Sequence, residues 1–279
     1  MILASIGIGV LSFDALLVRL ADTDASIIAF YRGFFVAVII LCAWLKKGEN
    51  RVIIKVKKDI FMMLFIAIIS GIGTSLFIFS VNNTVAANTV IFLATSSFFG
   101  AFFSYIIFKE KVRNETVIAI LVSFLGVIIV FKNSFGVGGT LLGDFYGILL
   151  AVFIGLQLTL LRKYTHFSHY FIIFASGLIM MIVMYIIEDN IFDVSLKTIF
   201  FIFLMGLMQV FAMLFIFSAT KYITSAEVGI FSTIETSFAP VWLWLFIGEV
   251  PPSLTIFGGV FVVSAIFINA YPQIKSKKQ

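Results

Sequence analysis

The chain contains 279 residues, of which 62% are hydrophobic and 12% are charged, and its mean hydropathy is +1.17. A soluble domain has about 45–50% apolar and about 25% charged residues, so this composition excludes a water-soluble globular fold. The net charge of +5 would suggest nucleic acid as the partner of a soluble protein, but here it follows from basic loops between membrane segments. We therefore expect the lipid bilayer, and no nucleic acid, as a partner.

Hydropathy along the chain predicts ten membrane-spanning helices, because a spanning helix needs about 20 mainly apolar residues. We number them as spans 1 to 10. Their predicted ranges in chain order are 2–21, 26–45, 59–81, 87–108, 115–131, 143–161, 167–187, 196–219, 225–247 and 253–271. The longest connection, 46–58, is too short for a soluble domain. The predicted fold class is an all-α integral membrane protein with ten transmembrane helices.

Lysine and arginine lie mainly in one set of connections. The connections on the side of the two termini contain 15 of the 19 basic residues, whereas the opposite connections contain only Arg19, Lys132 and Lys197. Cytoplasmic loops of membrane proteins carry an excess of lysine and arginine. We therefore predict a multi-pass protein of the cytoplasmic (inner) membrane with both termini in the cytoplasm.

An internal repeat relates the two halves of the chain. Span 4 reads Phe92-Leu-Ala-Thr-Ser-Ser-Phe-Phe-Gly and span 9 reads Phe231-Ser-Thr-Ile-Glu-Thr-Ser-Phe-Ala, at an offset of 139 that also aligns Glu110 with Glu249. Matching offsets in neighbouring helices indicate a duplicated unit. An odd number of helices per unit inverts the second copy, so we predict a 5+5 inverted-topology repeat of 1–132 and 143–271, followed by a basic cytoplasmic tail at 272–279. The substrate site is then expected at the repeat interface near mid-membrane.

Four short motifs occur at corresponding places in this pattern. They are Ala-Phe-Tyr-Arg32-Gly early in span 2, Lys109-Glu110 after span 4, Gly143-Asp144 at the start of span 6, and Pro240 with Gly248-Glu249 around span 9. With them, almost the whole chain resembles the EamA family of the drug/metabolite transporter (DMT) superfamily. The resemblance implies a 5+5 inverted bundle, alternating access, and often the export of amino acids, related metabolites or drugs.

Glu235 is the deepest acidic residue, about ten residues or about 15 Å into span 9. Its helical neighbours Ser232, Ala239 and Trp242 form a stripe of polar, small and aromatic groups suited to line a cavity. Ionisable groups at such depth usually indicate function, here a proton-coupling or substrate-amine-binding carboxylate. The alternative is a protonated glutamate that only bonds to a neighbouring helix.

Asp14 and Arg32 lie at similar depths in two adjacent, oppositely directed spans. Pairing is the usual solution for buried charge, so the favoured interpretation is an ion pair that fixes span 1 against span 2. The alternative is that Arg32 binds a substrate carboxylate.

Further polar and aromatic side chains are candidates for the same cavity. They are Gln209, Gln157, Ser96, Tyr31, Ser232 and Trp242. The two amides also fit a role that only joins helices, which is the commoner one. Thr236 and Pro240 are candidates for a structural or gating role, since the Thr236 hydroxyl can meet backbone groups that the proline frees. Spans 1–4 and 6–9 are expected to line or gate the cavity, with spans 5 and 10 at the periphery.

The sequence contains no nucleotide loop and no catalytic motif, so we predict neither an enzyme nor a cofactor or metal site. The predicted function is a secondary transporter that moves small polar metabolites, amino-acid-like compounds first among them, by alternating access through a central cavity, with export as the expected direction. Its predicted partners are this small-molecule substrate, a proton or exchanged solute as coupling partner, and a second copy of the chain as a candidate homodimer. The alternatives are a passive channel or facilitator, a drug efflux carrier of the same fold, and a polytopic membrane enzyme.

Overall fold

A computed structural model describes residues 2–47, 57–109, 114–134, 140–219 and 225–276, and these residues are almost entirely helical. The helices of the described ranges are α1 (Ile2–Leu11), α2 (Asp14–Ala21), α3 (Ala25–Lys47), α4 (Lys57–Asn83), α5 (Ala86–Ala94), α6 (Ser96–Phe108), α7 (Asn114–Ser134), α8 (Leu141–Lys163), α9 (His169–Ile187), α10 (Leu196–Ala219), α11 (Ser225–Ile247) and α12 (Ser253–Ser276). Helices α1 and α2 are the two parts of span 1, and α5 and α6 are the two parts of span 4. The predicted all-α fold with ten spans is therefore confirmed.

Seven segments within the described ranges are long and apolar enough to cross a bilayer. They are Ala25–Lys46, Asp59–Asn83, Ala86–Phe108, Asn114–Lys132, Leu141–Lys163, His169–Ile187 and Leu196–Ser218. Two shorter apolar segments, Ile234–Ile247 and Ser253–Asn269, belong to α11 and α12. The chain is thus a multi-pass membrane protein.

The same kind of local hydrogen bond occurs at both helix breaks. In span 1 the Ser12 hydroxyl donates to the Gly9 carbonyl at 2.7 Å, and in span 4 the Thr95 hydroxyl donates to the Phe92 carbonyl at 2.6 Å. The Thr95 amide also donates to Phe92, at 3.0 Å, which tightens this turn to a 3₁₀ geometry. Hydroxyl groups that compete for backbone carbonyls weaken a helix at that point. Span 9, by contrast, continues as one helix through Pro240.

The two halves pack as inverted copies of each other. Helix α4 packs on α8, and the corresponding α10 packs on α1 and α2; likewise α4 contacts α9 while α10 contacts α3. The remaining main pairs, α3 with α9 and α7 with α12, each join a span to its own counterpart in the other half. The backbones of α3 and α9 are in direct contact: a Cβ atom on Gly33 would lie only 2.6 Å from the carbonyl oxygen of Gly177. Helices α7 and α12 form the periphery and expose apolar side chains such as Phe124 and Phe257.

Hydrogen bonds join the connections at one end of the bundle, which we call the acidic end because Asp22, Asp24, Glu188 and Asp193 lie there. Asn82 donates to the Thr23 carbonyl, and Thr198 donates to the Ala21 carbonyl. The opposite, basic end contains Lys46, Lys109 and Arg162 among the described residues. The bond from Thr198 joins the two halves at the acidic end, whereas the bond from Asn82 lies within the first half.

Candidate functional site

A cavity of about 100 Å³ lies between the two halves of the bundle. A single water molecule needs only about 10–15 Å³ of such cavity volume, so the cavity is large enough for a small organic molecule. Its polar lining comes from seven helices of both halves and consists of Asp14, Arg32, Thr74, Ser96, Gln157, Gln209 and Glu235. The rest of the wall is apolar. Within the described part of the chain, neither α7, α9 nor α12 contributes to this wall.

Arg32 is the centre of a hydrogen-bonded chain that crosses from one half to the other. Its Nη2 donates to Asp14 Oδ2 at 2.7 Å, and its Nε donates to Gln209 Oε1 at 2.6 Å. Gln209 Nε2 in turn donates to Thr74 Oγ1 at 3.2 Å. The break at Ser12 and Phe13 makes Asp14 the first residue of α2, where a carboxylate is favoured by the helix dipole. The guanidinium is therefore held in one orientation by groups from α2 and α10.

The Asp14–Arg32 ion pair is only partly satisfied. Asp14 Oδ1 and Arg32 Nη1 are both buried and have no hydrogen-bond partner among the described residues. Both residues line the cavity, and the Arg32 side chain is only 2% exposed. A buried polar atom without a partner costs about 1–3 kcal/mol, and more when it is charged. The pair thus leaves one donor and one acceptor for a third molecule.

Glu235 faces the same cavity from α11. Its side chain is buried, and no hydrogen bond joins its carboxylate to another residue of the described ranges. It interacts electrostatically with both Asp14 and Arg32, so the three groups form one central cluster. With all three ionised, this central cluster has a net charge of −1 in a low-dielectric surrounding. Such a charge must be balanced by a proton or by a cationic ligand.

On the side towards the acidic end, aromatic side chains from both halves cover the cavity. The rings of Phe13 and Trp242 stack with centroids 4.6 Å apart, and Trp242 Nε1 donates to the Ser12 hydroxyl at 3.1 Å. Farther along, Arg19 Nε lies 3.0 Å from Glu249 Oε2, and Arg19 Nη2 donates to the Thr84 carbonyl. These contacts join α2 of the first half to α11 and the following segment of the second half.

The structure brings part of the residues singled out by sequence together at the cavity. Glu235, Arg32, Gln209, Gln157 and Ser96 line the cavity together with Asp14. Gln157 Nε2 also donates to the Ser70 hydroxyl at 3.0 Å.

The other candidates lie elsewhere. Tyr31 is half-buried against Phe30 and Phe35 and does not line the cavity. Trp242 covers the cavity rather than lining it, whereas Thr236 and Pro240 border a separate groove between α5, α11 and α12. The side chain of Ser232 lies outside the described residues.

A second buried polar group was not singled out by sequence, where Gly143-Asp144 indicated only a helix start. Asp144 is fully buried and accepts a hydrogen bond from the Thr84 hydroxyl at 2.6 Å and one from Asn88 Nδ2 at 3.3 Å. Thr255 on α12 donates to Asn88 Oδ1 at 2.8 Å. We call Asp144, Thr84, Asn88 and Thr255 the Asp144 cluster. It joins α5, α8 and α12 to the connection between α4 and α5 at the acidic end, and its polar groups bond to one another instead of facing the cavity.

An inverted-repeat helical bundle with a polar cavity between its halves is the architecture of a secondary transporter. The family model of the EamA-like transporter family matches residues 1–132 and again residues 141–271. The chain belongs to the EamA-like transporter family, which confirms the family resemblance seen in the sequence. It is a transporter and not an enzyme, and its partners are the membrane and a small-molecule substrate.

Two curated relatives agree with this family. An uncharacterized transporter of Clostridium kluyveri is 27% identical over 211 residues, which cover 71% of this chain and 68% of the relative. The pseudopaline exporter CntI of Pseudomonas aeruginosa is 23% identical over 209 residues, which cover 73% of this chain and 72% of the relative. One solved crystal structure has a TM-score of 0.70 over 97% of this chain and 96% of that chain at 12% identity, so it shares the fold.

Proposed function

We propose that this transporter moves small polar metabolites, amino-acid-like compounds first among them, out of the cell by alternating access through the central cavity. The observation that carries this proposal is the central cluster of Asp14, Arg32 and Glu235 in a cavity between the two halves. Charged groups are expensive inside a membrane and are retained where they bind a substrate or a coupling ion.

Contacts that close the acidic end support alternating access. Towards the acidic end, the Phe13–Trp242 stack and the Arg19–Glu249 pair lie between the cavity and the end of the bundle. Towards the basic end, the wall extends along α10 to Ile216 and Phe217. With both termini in the cytoplasm, as the distribution of lysine and arginine predicts, the cavity extends towards the cytoplasmic side, where an exporter takes up its substrate.

Glu235 is the proposed coupling residue of this cycle. A proton on its carboxylate balances the net charge of the central cluster, and binding and release of this proton would couple transport to the pH gradient. Export as the direction agrees with the exporter among the relatives. Proton coupling and the formation of a homodimer stay predictions.

Counterflow in proteoliposomes tests the proposed function. Vesicles containing the purified full-length protein are loaded with an unlabelled mixture of amino acids, or in separate samples with uridine, glucose or a cationic dye. Traces of the same compound in labelled form are then added outside. A carrier accumulates the label transiently above equilibrium, whereas a channel only equilibrates it. No counterflow with any of the four samples would contradict the proposed function.

The role of Glu235 is tested by Glu235→Gln in the same vesicles under an imposed pH gradient. We expect the wild-type rate to change severalfold with the gradient and the variant to be insensitive to it, since glutamine cannot exchange a proton. Glu188→Gln is the matched control, because Glu188 lies after α9 at the acidic end and not in the cavity. A Glu235→Gln protein whose transport still follows the gradient would exclude Glu235 as the coupling residue.

A further inference from the structure

We propose that the substrate of the central cavity is a zwitterion with a bulky, uncharged apolar side chain, whose ammonium group binds Asp14 and whose carboxylate binds Arg32. This inference rests on the proposed function and narrows its substrate class. It also assigns the Asp14–Arg32 pair to the binding site, beyond the purely structural role that the sequence favoured.

The first argument is the incomplete pairing of these two residues. A structural ion pair between arginine and aspartate can form two parallel hydrogen bonds, but only the bond from Nη2 to Oδ2 is present. Asp14 Oδ1 and Arg32 Nη1 are left buried and unbonded, in two residues that both line the cavity. One free acceptor and one free donor, both charged, match an ammonium and a carboxylate group on the same small molecule.

The second argument is that Arg32 is not free to rotate towards Asp14. Its Nε is bound by Gln209, which is itself held by Thr74. Closing the second bond to Asp14 would require this chain to break. The unpaired atoms are therefore built into the fold, which is the arrangement expected of a preorganised binding site.

The third argument is charge balance. A cation without a carboxylate would leave Arg32 Nη1 without an acceptor, and an anion without an amine would leave Asp14 Oδ1 without a donor. A zwitterion satisfies both atoms and adds no net charge to the cavity. Glu235, which lines the same cavity, adds a second carboxylate within electrostatic range of both groups.

The fourth argument concerns the rest of the substrate. One or two helical turns beyond Gln209 towards the basic end, the wall is formed by Met213, Ile216 and Phe217, and Leu11 and Leu158 complete it from α1 and α8. A charged side chain placed there would lose its hydration without gaining an ionic partner. An apolar side chain would instead gain stability from each CH₂ group that it buries, so leucine, methionine and phenylalanine fit better than alanine, lysine or aspartate.

A binding assay on the purified full-length protein in lipid nanodiscs tests this inference with matched ligands. The probes are L-leucine, L-alanine, isoamylamine, which is leucine without its carboxylate, and 4-methylpentanoate, which is leucine without its amine. We expect leucine to bind about tenfold or more tightly than each of the other three. Equal binding of isoamylamine would overturn the assignment of the carboxylate to Arg32, and equal binding of 4-methylpentanoate would overturn that of the ammonium group to Asp14; either result contradicts a zwitterionic substrate.

A variant inside the apolar wall tests the side-chain part. Met213→Trp fills this region and should weaken leucine binding about tenfold or more while alanine binding changes little, which a merely destabilised protein would not do. Phe211→Trp, two residues away on the exposed face of the same helix, is the matched control and should bind leucine as the wild type does. Equal losses for leucine and alanine in Met213→Trp would contradict the inferred position of the side chain.

The outcome also separates the two proposals. If uridine or glucose shows counterflow while the amino acids neither bind nor exchange, this inference is wrong and the proposed function stands. Counterflow of the cationic dye alone would indicate a drug efflux carrier and contradict both proposals. If none of the compounds shows counterflow, both are wrong.

Discussion

The central cluster and the Asp144 cluster are both buried among apolar helices, yet they differ in how their polar atoms are paired. In the Asp144 cluster a hydroxyl group and an amide of neighbouring helices donate to the same carboxylate. In the central cluster Asp14 Oδ1 and Arg32 Nη1 lack partners within the described structure, and Glu235 has no hydrogen bond there. Buried polar groups that are fully bonded hold a fold together, whereas unbonded ones reduce stability unless a ligand completes them. The comparison separates a structural group from a binding group in one molecule.

The largest expected loss of stability comes from removing the only cation of the central cluster. Arg32→Gln leaves Asp14 and Glu235 without a positive partner, and breaking a buried ion pair in this way costs about 3–5 kcal/mol. The double variant Asp14→Asn with Arg32→Gln should recover part of this loss, because it no longer buries an unpaired aspartate. Denaturant unfolding in detergent measures both. A double variant as unstable as Arg32→Gln would show that the pair does not act through its charges.

A smaller loss is expected in the Asp144 cluster. Asp144→Asn keeps the shape of the side chain but removes the charge, and hydrogen bonds to charged groups contribute about 1.5–3 kcal/mol. Because this cluster does not line the cavity, counterflow per folded molecule should be unchanged. Asp193→Asn, an exposed change at the same end, is the control. Loss of counterflow at normal stability would assign Asp144 to the transport machinery and contradict the comparison.

The smallest effect is expected for the Arg19–Glu249 pair, whose side chains are 27% and 23% exposed. Water and salt screen such a pair, so its coupling energy should be about 0.2–1 kcal/mol. A double-mutant cycle of Arg19→Gln and Glu249→Gln, measured by unfolding at low and high salt, gives this value directly. A coupling energy above about 2 kcal/mol, or one that salt does not reduce, would show that this pair behaves like the buried polar groups and not like an exposed ion pair.

Much of the fold could be predicted from the sequence, because hydropathy alone determines where a chain can cross a bilayer and the repeat relates the two halves. The two helix breaks could not. The proline in span 9 suggested a break beside Thr236, but α11 continues through Pro240 and the break lies at Thr95 in the repeat-related span. The only sequence feature that marked the break in span 4 was a run of three hydroxyl residues, Thr95 to Ser97. A hydroxyl weakens a helix only where it turns to a backbone carbonyl, and packing decides that.

The depth of ionisable and polar residues identified most of the candidate site. Glu235, Arg32 and Gln209 come from distant parts of the chain, and each could be identified because a polar group inside a span is costly unless it pairs with another group or binds a ligand. The depth of a residue within its span could not identify Asp144, since a residue near the start of a span can be either solvated or fully buried. The cluster's other members come from α5, α12 and the connection between α4 and α5, and this arrangement follows from the packing of the helices, not from any local pattern.

The contact between α3 and α9 has a consequence for how the chain is built. Gly33 and Gly177 are each the ninth residue of their helix, and each would place a Cβ within 2.8 Å of the other's carbonyl oxygen. A residue that meets its own equivalent lies on a two-fold axis, as in the isologous interface of a homodimer. One polypeptide therefore contains the interface of an antiparallel pair of five-helix subunits. Because the two subunits have different sequences, Glu235 in one has Ser96 as its counterpart in the other. The helices are therefore arranged symmetrically, but the charges inside the cavity are not.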